Sequence, residues 1–436
     1  MIRFIFAALF SVVAVSVQAQ VEIQEVTSPG GINAWLVEDR SIPFLALEIR
    51  IKGGASLDVA GKRGAANLMT GLLEEGSGDM DARTFQTARE GLAASFGFDI
   101  YDDSFSVSAR VLTENRDEAL ALLRSALIDP TFDDDAVERV RAQVQSIIAS
   151  DEKNPNRIAG AAFDAAAFGD HPYGSSLTGT AESIAALTRD DLIAAHRNVL
   201  TRDRVYVGAV GDISADELGV LLDDLLGDLP QSDAPLPDDV PFGLAGGVTV
   251  VPFETPQSVA YFGQQGIKRD DEDFFAAYIL NTILGGGSFE SRLMTEVREK
   301  RGLTYGVYTY LVPKDYAEIM VGSVASGNDR IGEAIAVIRD EWARMAADGV
   351  TAQELDAAKT FLTGAYPLRF DGNAPIADIL VGMQMTGLPP DYVVNRNDYV
   401  NAVTLDEINR VASELLRPED LHFVVVGQPV GVENTN

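Results

Sequence analysis

The chain has 436 residues, no cysteine and a formal charge of −32, from 66 acidic and 34 basic residues. The absence of cysteine excludes disulfides, thiolate metal sites and cysteine nucleophiles. The negative charge argues against nucleic acid or an anionic membrane surface as a partner, because neutralising phosphates needs clustered lysine and arginine.

The first residues have the pattern of a secretory signal peptide. Arg3 precedes an apolar run from residue 4 to 17, and small residues follow where a cleavage site requires them. The run is too short to span a membrane, and no second hydrophobic segment follows it. We therefore expect residues 1–19 to be removed after Ala19 and no membrane span in the rest of the chain. Together with the absence of cysteine, this predicts a periplasmic location.

The next informative segment is a helix predicted within residues 64–78, GAANLMTGLLEEGSG. Its apolar residues recur at i, i+3, i+4, i+7 and i+8, the spacing of a helix that packs on a core. On the other face, Asn67, Thr70 and Gly71 occupy the three positions of an H-x-x-E-H zinc motif. Asparagine is a poor zinc ligand, threonine cannot act as a base near neutral pH, and glycine has no side chain. The helix therefore has the spacing of a zinc site without its chemistry.

Strand and helix patterns follow the same order in both halves of the chain. Residues 44–54 and 258–266 alternate as half-buried strands, and segments 204–212 and 420–428 are typical of buried closing strands. Segments with helical periods lie between them. This grouping predicts an α+β fold in which helices cover one face of a mainly antiparallel sheet, rather than a doubly wound nucleotide-binding fold.

The chain contains three histidines, His171, His196 and His422, and no two fall within one helical turn. We therefore expect structural roles for them: His171 in a turn, His196 at the surface or boundary of a helix, and His422 in the last strand. The acidic segment FDDDAVE is explained by the preference of acids for helix N-termini. The glycine-rich segment 284–292 lacks the G-K-[ST] ending of a phosphate loop. The sequence thus predicts no metal or cofactor bound by this chain itself.

An internal duplication is the strongest organisational signal. Three segments of the first half recur in order in the second half, at a nearly constant offset of about 211 to 216 residues. The matched pairs are 65–77 with 276–288, 115–124 with the segment ending at Arg339, and 188–212 with 404–428. We interpret the halves as two homologous domains.

A segment rich in proline, aspartate and glycine separates the two halves. Such a composition cannot sustain a helix or an interior strand, so it predicts an extended linker. The predicted boundaries are 20–227 for the N-terminal domain, 228–246 for the linker and 247–436 for the C-terminal domain.

One polar pair in the second half could contact a substrate. In SRLMTEVREKRGLTYGVYTY, a helix is predicted to about Lys300, with Gly302 as its stop and a strand from Leu303. Arg298 and Tyr305 could then present a guanidinium and a phenol to one carbonyl or carboxylate. The alternative is that Arg298 pairs with a neighbouring glutamate and Tyr305 fills the core. From spacing alone, the alternative is favoured.

The chain resembles the insulinase family of zinc peptidases, which includes pitrilysin and the mitochondrial processing peptidase. The segments that carry the resemblance are GKRGAANLMTGLLEEGS, DHPYGSSLTGT, LGGGSFESRLMTEVREKRGLTYGVYTYL and the two closing strands. The resemblance implies two homologous α+β domains that form a half-clamshell, and two half-clamshells that enclose a chamber for unfolded peptides. It also implies a third zinc ligand, a glutamate, on the helix matched by 140–155. Residues 143–150 contain no acid, and Asp151 and Glu152 lie past the expected position.

The family's substrate-gripping arginine and tyrosine fall on Arg298 and Tyr305 with the same seven-residue separation, so the resemblance favours substrate contact for this pair over a structural role. It therefore implies a non-catalytic subunit of a two-chain peptidase, with zinc and H-x-x-E-H in a homologous partner and an unfolded peptide as substrate. A scaffold that retains the fold without catalysis is the alternative. A peptidase active alone through another metal site is the third possibility, against which the three histidines argue.

Overall fold

The structure is a computed structural model that describes residues 22–287 and 290–435. The predicted signal peptide, residues 1–19, lies outside the described residues. The described strands are β1 (Gln24–Thr27), β2 (Asn33–Glu38), β3 (Phe44–Lys52), β4 (Gly76–Ser77), β5 (Met80–Asp81), β6 (Ser95–Ile100), β7 (Ser104–Leu112), β8 (Val205–Gly211), β9 (Gly247–Pro252), β10 (Gln257–Gln265), β11 (Val307–Pro313), β12 (Glu318–Gly327) and β13 (His422–Gly427).

Helices lie between these strands in both halves. The described α-helices are α1 (Ala65–Thr70), α2 (Ala82–Gly91), α3 (Arg116–Ile128), α4 (Asp134–Asp151), α5 (Pro155–Phe168), α6 (Ala181–Ala186), α7 (Arg189–Val199), α8 (Ala215–Leu226), α9 (Phe274–Leu284), α10 (Ile331–Asp348), α11 (Ala352–Ala365), α12 (Asn373–Met385), α13 (Tyr392–Ala402) and α14 (Leu405–Leu415). A π-helical turn, Met294–Glu299, follows α9. Within the described part of the chain, no helix combines the length and apolarity needed to cross a bilayer.

The two sheets confirm the predicted duplication and the mainly antiparallel α+β fold. The first sheet has the order β1-β2-β8-β3-β7-β6, and the second has β11-β12-β10-β13-β9. Without β1, the two orders are the same when β2, β3, β6, β7 and β8 are matched to β9 through β13. Each sheet also contains one parallel pair at the equivalent place, β2 with β8 and β9 with β13. Each half therefore builds the same sheet.

Several helices begin directly after a threonine or serine that caps the helix N-terminus. Threonine or serine caps begin α6, α7, α8, α11 and α14, each through a capping box. The apolar faces of these and neighbouring helices pack on one face of each sheet and form two large cores. Alternate residues of β3, such as Leu47 and Ile49, point into the first core and are 1% exposed.

The other face of each sheet is covered by a helix from the other half of the chain. Helix α5 packs on β10 and β13, where Phe163 meets the ring of Tyr261 with centroids 5.0 Å apart. Helix α12 packs on β3 and β8, and a Cβ at Gly208 would lie 2.3 Å from the Ala377 carbonyl oxygen. The sequence predicts helices on one face only. It does not predict this exchange, because local periodicity does not identify a packing partner.

Residues 227–246, all of them described, contain no helix or strand. They run along the boundary of the two halves, where the Val240 N–H donates to the Tyr316 carbonyl at 2.8 Å. The Gly243 N–H likewise donates to the Ala167 carbonyl at 2.8 Å.

Equivalent hairpin turns of the two halves meet between the sheets. Lys314, in the β11–β12 turn, donates to Asp102 in the β6–β7 turn at 2.7 Å, and the Asp315 N–H donates to Asp103 at 3.2 Å. Both pairs are 212 residues apart in sequence, within the repeat offset. Tyr173 joins them, because its hydroxyl donates to Asp103 at 2.5 Å. We call this group of contacts the hairpin clasp.

Candidate functional site

The helix that matches the zinc motif is short and lacks metal ligands. Helix α1 ends at Thr70, whose hydroxyl donates to the Ala66 carbonyl oxygen at 2.8 Å, so this side chain is used within the helix. Asn67 is half-buried and Gly71 is exposed. A Cβ at Gly71 would lie 3.0 Å from Val140 Cγ1 on α4, tighter than an ordinary contact. These residues do not fit a zinc ion, and a side chain at position 71 would require Val140 to shift by a few tenths of an ångström.

The two acids that follow this helix in the sequence are held in ion pairs. Glu74 pairs with Arg89, and Glu75 pairs with Arg139 of α4 at 2.5 Å. Burial raises the pKa of Glu74, and the Arg89 guanidinium opposes that shift. Across residues 22–287 and 290–435, the structure contains no group of three or more histidine, aspartate or glutamate side chains arranged to hold a metal ion.

The three histidines have the structural roles expected of them. His171 Nδ1 accepts from the Tyr173 N–H at 3.2 Å and caps a short turn. His196 Nε2 lies 2.8 Å from the Leu127 carbonyl oxygen, and burial lowers the pKa of this histidine. His422 lies in β13 with Nδ1 2.9 Å from the carbonyl oxygen of Ala245.

Arg298 lies in the π-helical turn that precedes β11, and it is half-buried. The widened turn is visible in the bond from the Lys300 N–H to the Thr295 carbonyl at 3.0 Å, five residues back. Gly302 ends the turn with a φ of 59°, and its N–H donates to the Arg298 carbonyl at 2.8 Å. The predicted helix stop at this glycine is confirmed.

Tyr305 lies at the apex of the next turn. The Thr304 hydroxyl donates to the Gly306 carbonyl at 2.9 Å and accepts from the Gly306 N–H at 3.1 Å, which closes the loop around Tyr305. Tyr305 is 91% exposed, so the alternative that it fills the core is wrong. The strand predicted from Leu303 begins instead at Val307.

Two further groups fix this loop to the body of the second half. Arg330 donates to the carbonyl oxygens of Gly302 and Arg301, each at 3.0 Å. The Ser326 hydroxyl donates to the Leu303 carbonyl at 2.5 Å. A Cβ at position 306 would lie 2.9 Å from the Tyr308 ring, so a larger residue there would require that ring to shift. The exposed phenol is therefore carried by a defined backbone.

A shallow cavity of about 310 Å³ opens beside Tyr305. Its lining includes Tyr308 and Ser323 of the second sheet and Asn156 at the start of α5. Arg298 is not among the lining residues. Asn156 was not identified from the sequence, because only the exchange of α5 onto the second sheet brings it to Tyr305. Its one sequence signal is the Asn154-Pro155 helix start.

Comparison with known proteins identifies the family of this chain. Residues 35–181 match the family described as insulinase, peptidase family M16, and residues 186–362 match the peptidase M16 inactive domain. The chain belongs to the M16 family. The half-clamshell predicted from the resemblance is the fold of that family, and the sheet topology agrees with it.

The relatives of this M16 chain include one named as a non-peptidase homolog and others named as uncharacterized zinc proteases. A Helicobacter pylori protein named as a non-peptidase homolog is 27% identical over 89% of this chain and 90% of its own length. An uncharacterized zinc protease of Mycobacterium leprae is 27% identical over 89% of this chain and 88% of its own. The solved peptidase M16 inactive domain of Pseudomonas fluorescens is 29% identical, with a TM-score of 0.88 over 95% of this chain and 100% of that one.

Proposed function

We propose that this chain is the zinc-free subunit of a two-chain periplasmic peptidase. In that assembly it binds an unfolded peptide and completes the active site of a homologous H-x-x-E-H chain. The observation that carries the proposal is the presentation of Tyr305, 91% exposed on a loop fixed by Thr304, Arg330 and Ser326. Contact with a substrate or a partner would bury this exposed ring, and its defined placement on the loop supports such contact.

The chemistry available to the pair is hydrogen bonding to a reacting carbonyl. The Tyr305 phenol can donate to the oxygen on which charge develops, and the Arg298 guanidinium supplies a fixed positive charge. Exclusion of water by a closing partner would strengthen both interactions, because the local dielectric falls. The partner's zinc would activate the attacking water.

Removal of one hydroxyl tests this role. Tyr305→Phe keeps the ring and removes the donor, so we expect kcat of the assembled peptidase to fall about 100- to 1,000-fold, as for other oxyanion donors. Assembly should be unchanged, as measured by co-purification of the two chains. Tyr310→Phe, at a ring 52% exposed on β11, is the matched control and should retain full turnover. Equal turnover of Tyr305→Phe and wild type would contradict the role.

The second candidate is a scaffold or binding protein that keeps the M16 fold without taking part in catalysis. The name of the Helicobacter pylori relative, a non-peptidase homolog, favours it. A scaffold needs neither the phenol nor the guanidinium. Under this alternative, Tyr305→Phe and Arg298→Gln would both leave the turnover of any associated peptidase unchanged, whereas the two-chain proposal expects both to lower it.

A further inference from the structure

A pocket of about 300 Å³, remote in sequence from Tyr305, contains an excess of positive charge. It lies where α9, α12 and α13 meet Arg50 of β3. Four arginines and one acid, Asp378, contribute to its lining: Arg50, Arg269, Arg369 and Arg396. In a chain of formal charge −32, this local excess of cations is unusual. We call it the arginine pocket.

Arg396 is the central observation. It is 5% exposed, and its Nη1 donates to the Leu362 carbonyl at 2.9 Å and to the Asn397 side chain at 3.1 Å. The faces of Tyr366 and Tyr278 lie 4.8 and 5.7 Å from its guanidinium carbon. Among the ion pairs of the described residues, none includes Arg396. A buried cation with neutral partners alone is costly, and an anion in the pocket would compensate it.

Arg269, like Arg396, contacts an aromatic ring and has a neutral hydrogen-bond partner. Its guanidinium carbon lies 4.2 Å from the ring centroid of Phe274, and Nη2 donates to the Tyr392 hydroxyl at 3.0 Å. No carboxylate in the described part of the chain forms an ion pair with it. Arg50 does pair with Asp378, at 2.5 Å, but its buried Nε has no hydrogen-bond partner. Aromatic rings thus orient guanidinium groups that retain donors for a ligand.

We propose that the arginine pocket binds a carboxylate attached to an aromatic or aliphatic group about the size of one amino-acid residue. Guanidinium forks match the two oxygens of a carboxylate. The apolar side chains of Ile379, Met383 and Leu388 line the same pocket and can hold the attached group. The volume lies near the lower end of small-ligand sites, which limits the bound portion to a small molecule or the end of a peptide.

This site is independent of the proposed peptidase role, since it uses neither Arg298, Tyr305 nor a partner. The carboxylate could belong to a free small acid or to the C-terminus of a peptide. Both sources share the chemistry that the pocket recognises, and probe length distinguishes them.

The test is calorimetric titration of the mature chain with N-acetyl-phenylalanine and with its C-terminal amide. We expect saturable binding of the acid, and at least about 10-fold weaker binding of the amide, because the neutral amide cannot form the charge-assisted contacts that the carboxylate forms with the guanidinium groups. A ten-residue peptide ending in phenylalanine should bind as tightly as the acid if the pocket accepts C-termini. Binding of the short acid alone would assign the site to free small acids.

Two variants locate the binding. Arg269→Gln should weaken binding of the acid at least about 10-fold, and Arg369→Gln, at an exposed position of the lining, should weaken it less. Arg40→Gln, at an exposed position in the first half, is the control and should bind as the wild type does. Equal binding of acid and amide, no saturable binding, or unchanged binding in both pocket variants would overturn the proposal. Tighter binding of inorganic phosphate than of the acid would also overturn it.

Discussion

At the scale of single residues, Glu48 gives a pH-dependent prediction. It lies on the β3 face that carries α12 and is 9% exposed. Burial raises the pKa of Glu48 to about 7, with Asp378 and Asp99 adding to the shift and Arg50 and Arg110 opposing it. The folded chain thus holds this proton more tightly than the unfolded chain. Protonated Glu48 therefore contributes fully to the free energy of unfolding below pH 4.5, and this contribution is lost as the pH rises through about 7.

Glu48→Gln keeps a neutral side chain at every pH. The Tm of this variant relative to wild type should therefore rise between pH 4.5 and pH 8, by about 1 °C for each kcal/mol that the wild type loses in a chain of this length. Thermal unfolding at both pH values measures it. Glu25→Gln, at an exposed position, is the control and should show a constant difference. A Tm difference for Glu48→Gln that is constant or falls with pH would contradict the assignment.

A second prediction at this scale concerns the degenerate zinc helix. The triple change Asn67→His, Thr70→Glu and Gly71→His creates an H-x-x-E-H motif in this helix. A side chain at position 71 would contact Val140 Cγ1, and the side chain at position 70 is 8% exposed. We expect no stoichiometric zinc after dialysis, measured by elemental analysis. We also expect a loss of about 1–3 kcal/mol in the free energy of unfolding, from overpacking. One bound zinc per chain at unchanged stability would show that the helix retains a working geometry.

At the scale of elements, the hairpin clasp joins the two halves. The Tyr173 hydroxyl donates to Asp103 and accepts from the Tyr316 N–H at 3.2 Å, and Tyr173 is 2% exposed. Tyr173→Phe would leave both groups without this partner. The expected cost is about 1–3 kcal/mol in the free energy of unfolding, measured in urea. The same change at exposed Tyr310 should cost less than about 0.5 kcal/mol. Equal effects at the two positions would mean that the clasp does not stabilise the fold.

Much of the order of elements could be predicted from the sequence. Alternation identified β3 and β10, and the repeated segments predicted the same sheet in both halves. The loop around Tyr305 could not be predicted, because residues 303–310 alternate like a strand throughout. The Thr304 hydroxyl forms hydrogen bonds with both the N–H and the carbonyl oxygen of Gly306, which closes a turn. The strand therefore begins only at Val307.

At the scale of the whole molecule, the halves are interlocked by α5 and α12, which each cover the sheet of the other half. This placement brings Asn156 to Tyr305 and Asp378 to Arg50. Neither pairing follows from local sequence, because each joins elements whose packing is decided only when the two sheets come together. The loss of the zinc ligands, by contrast, follows from the residue types at Asn67, Thr70 and Gly71 alone.

The proposed pairing with a homologous H-x-x-E-H subunit can be tested by capture of the tagged chain from its own host, in the proposed compartment, the periplasm. Mass spectrometry then identifies the proteins recovered in stoichiometric amounts. We expect a chain of similar size that carries H-x-x-E-H, in a complex that cleaves unfolded peptides. Recovery of the tagged chain alone, or with envelope proteins that lack this motif, would contradict the pairing.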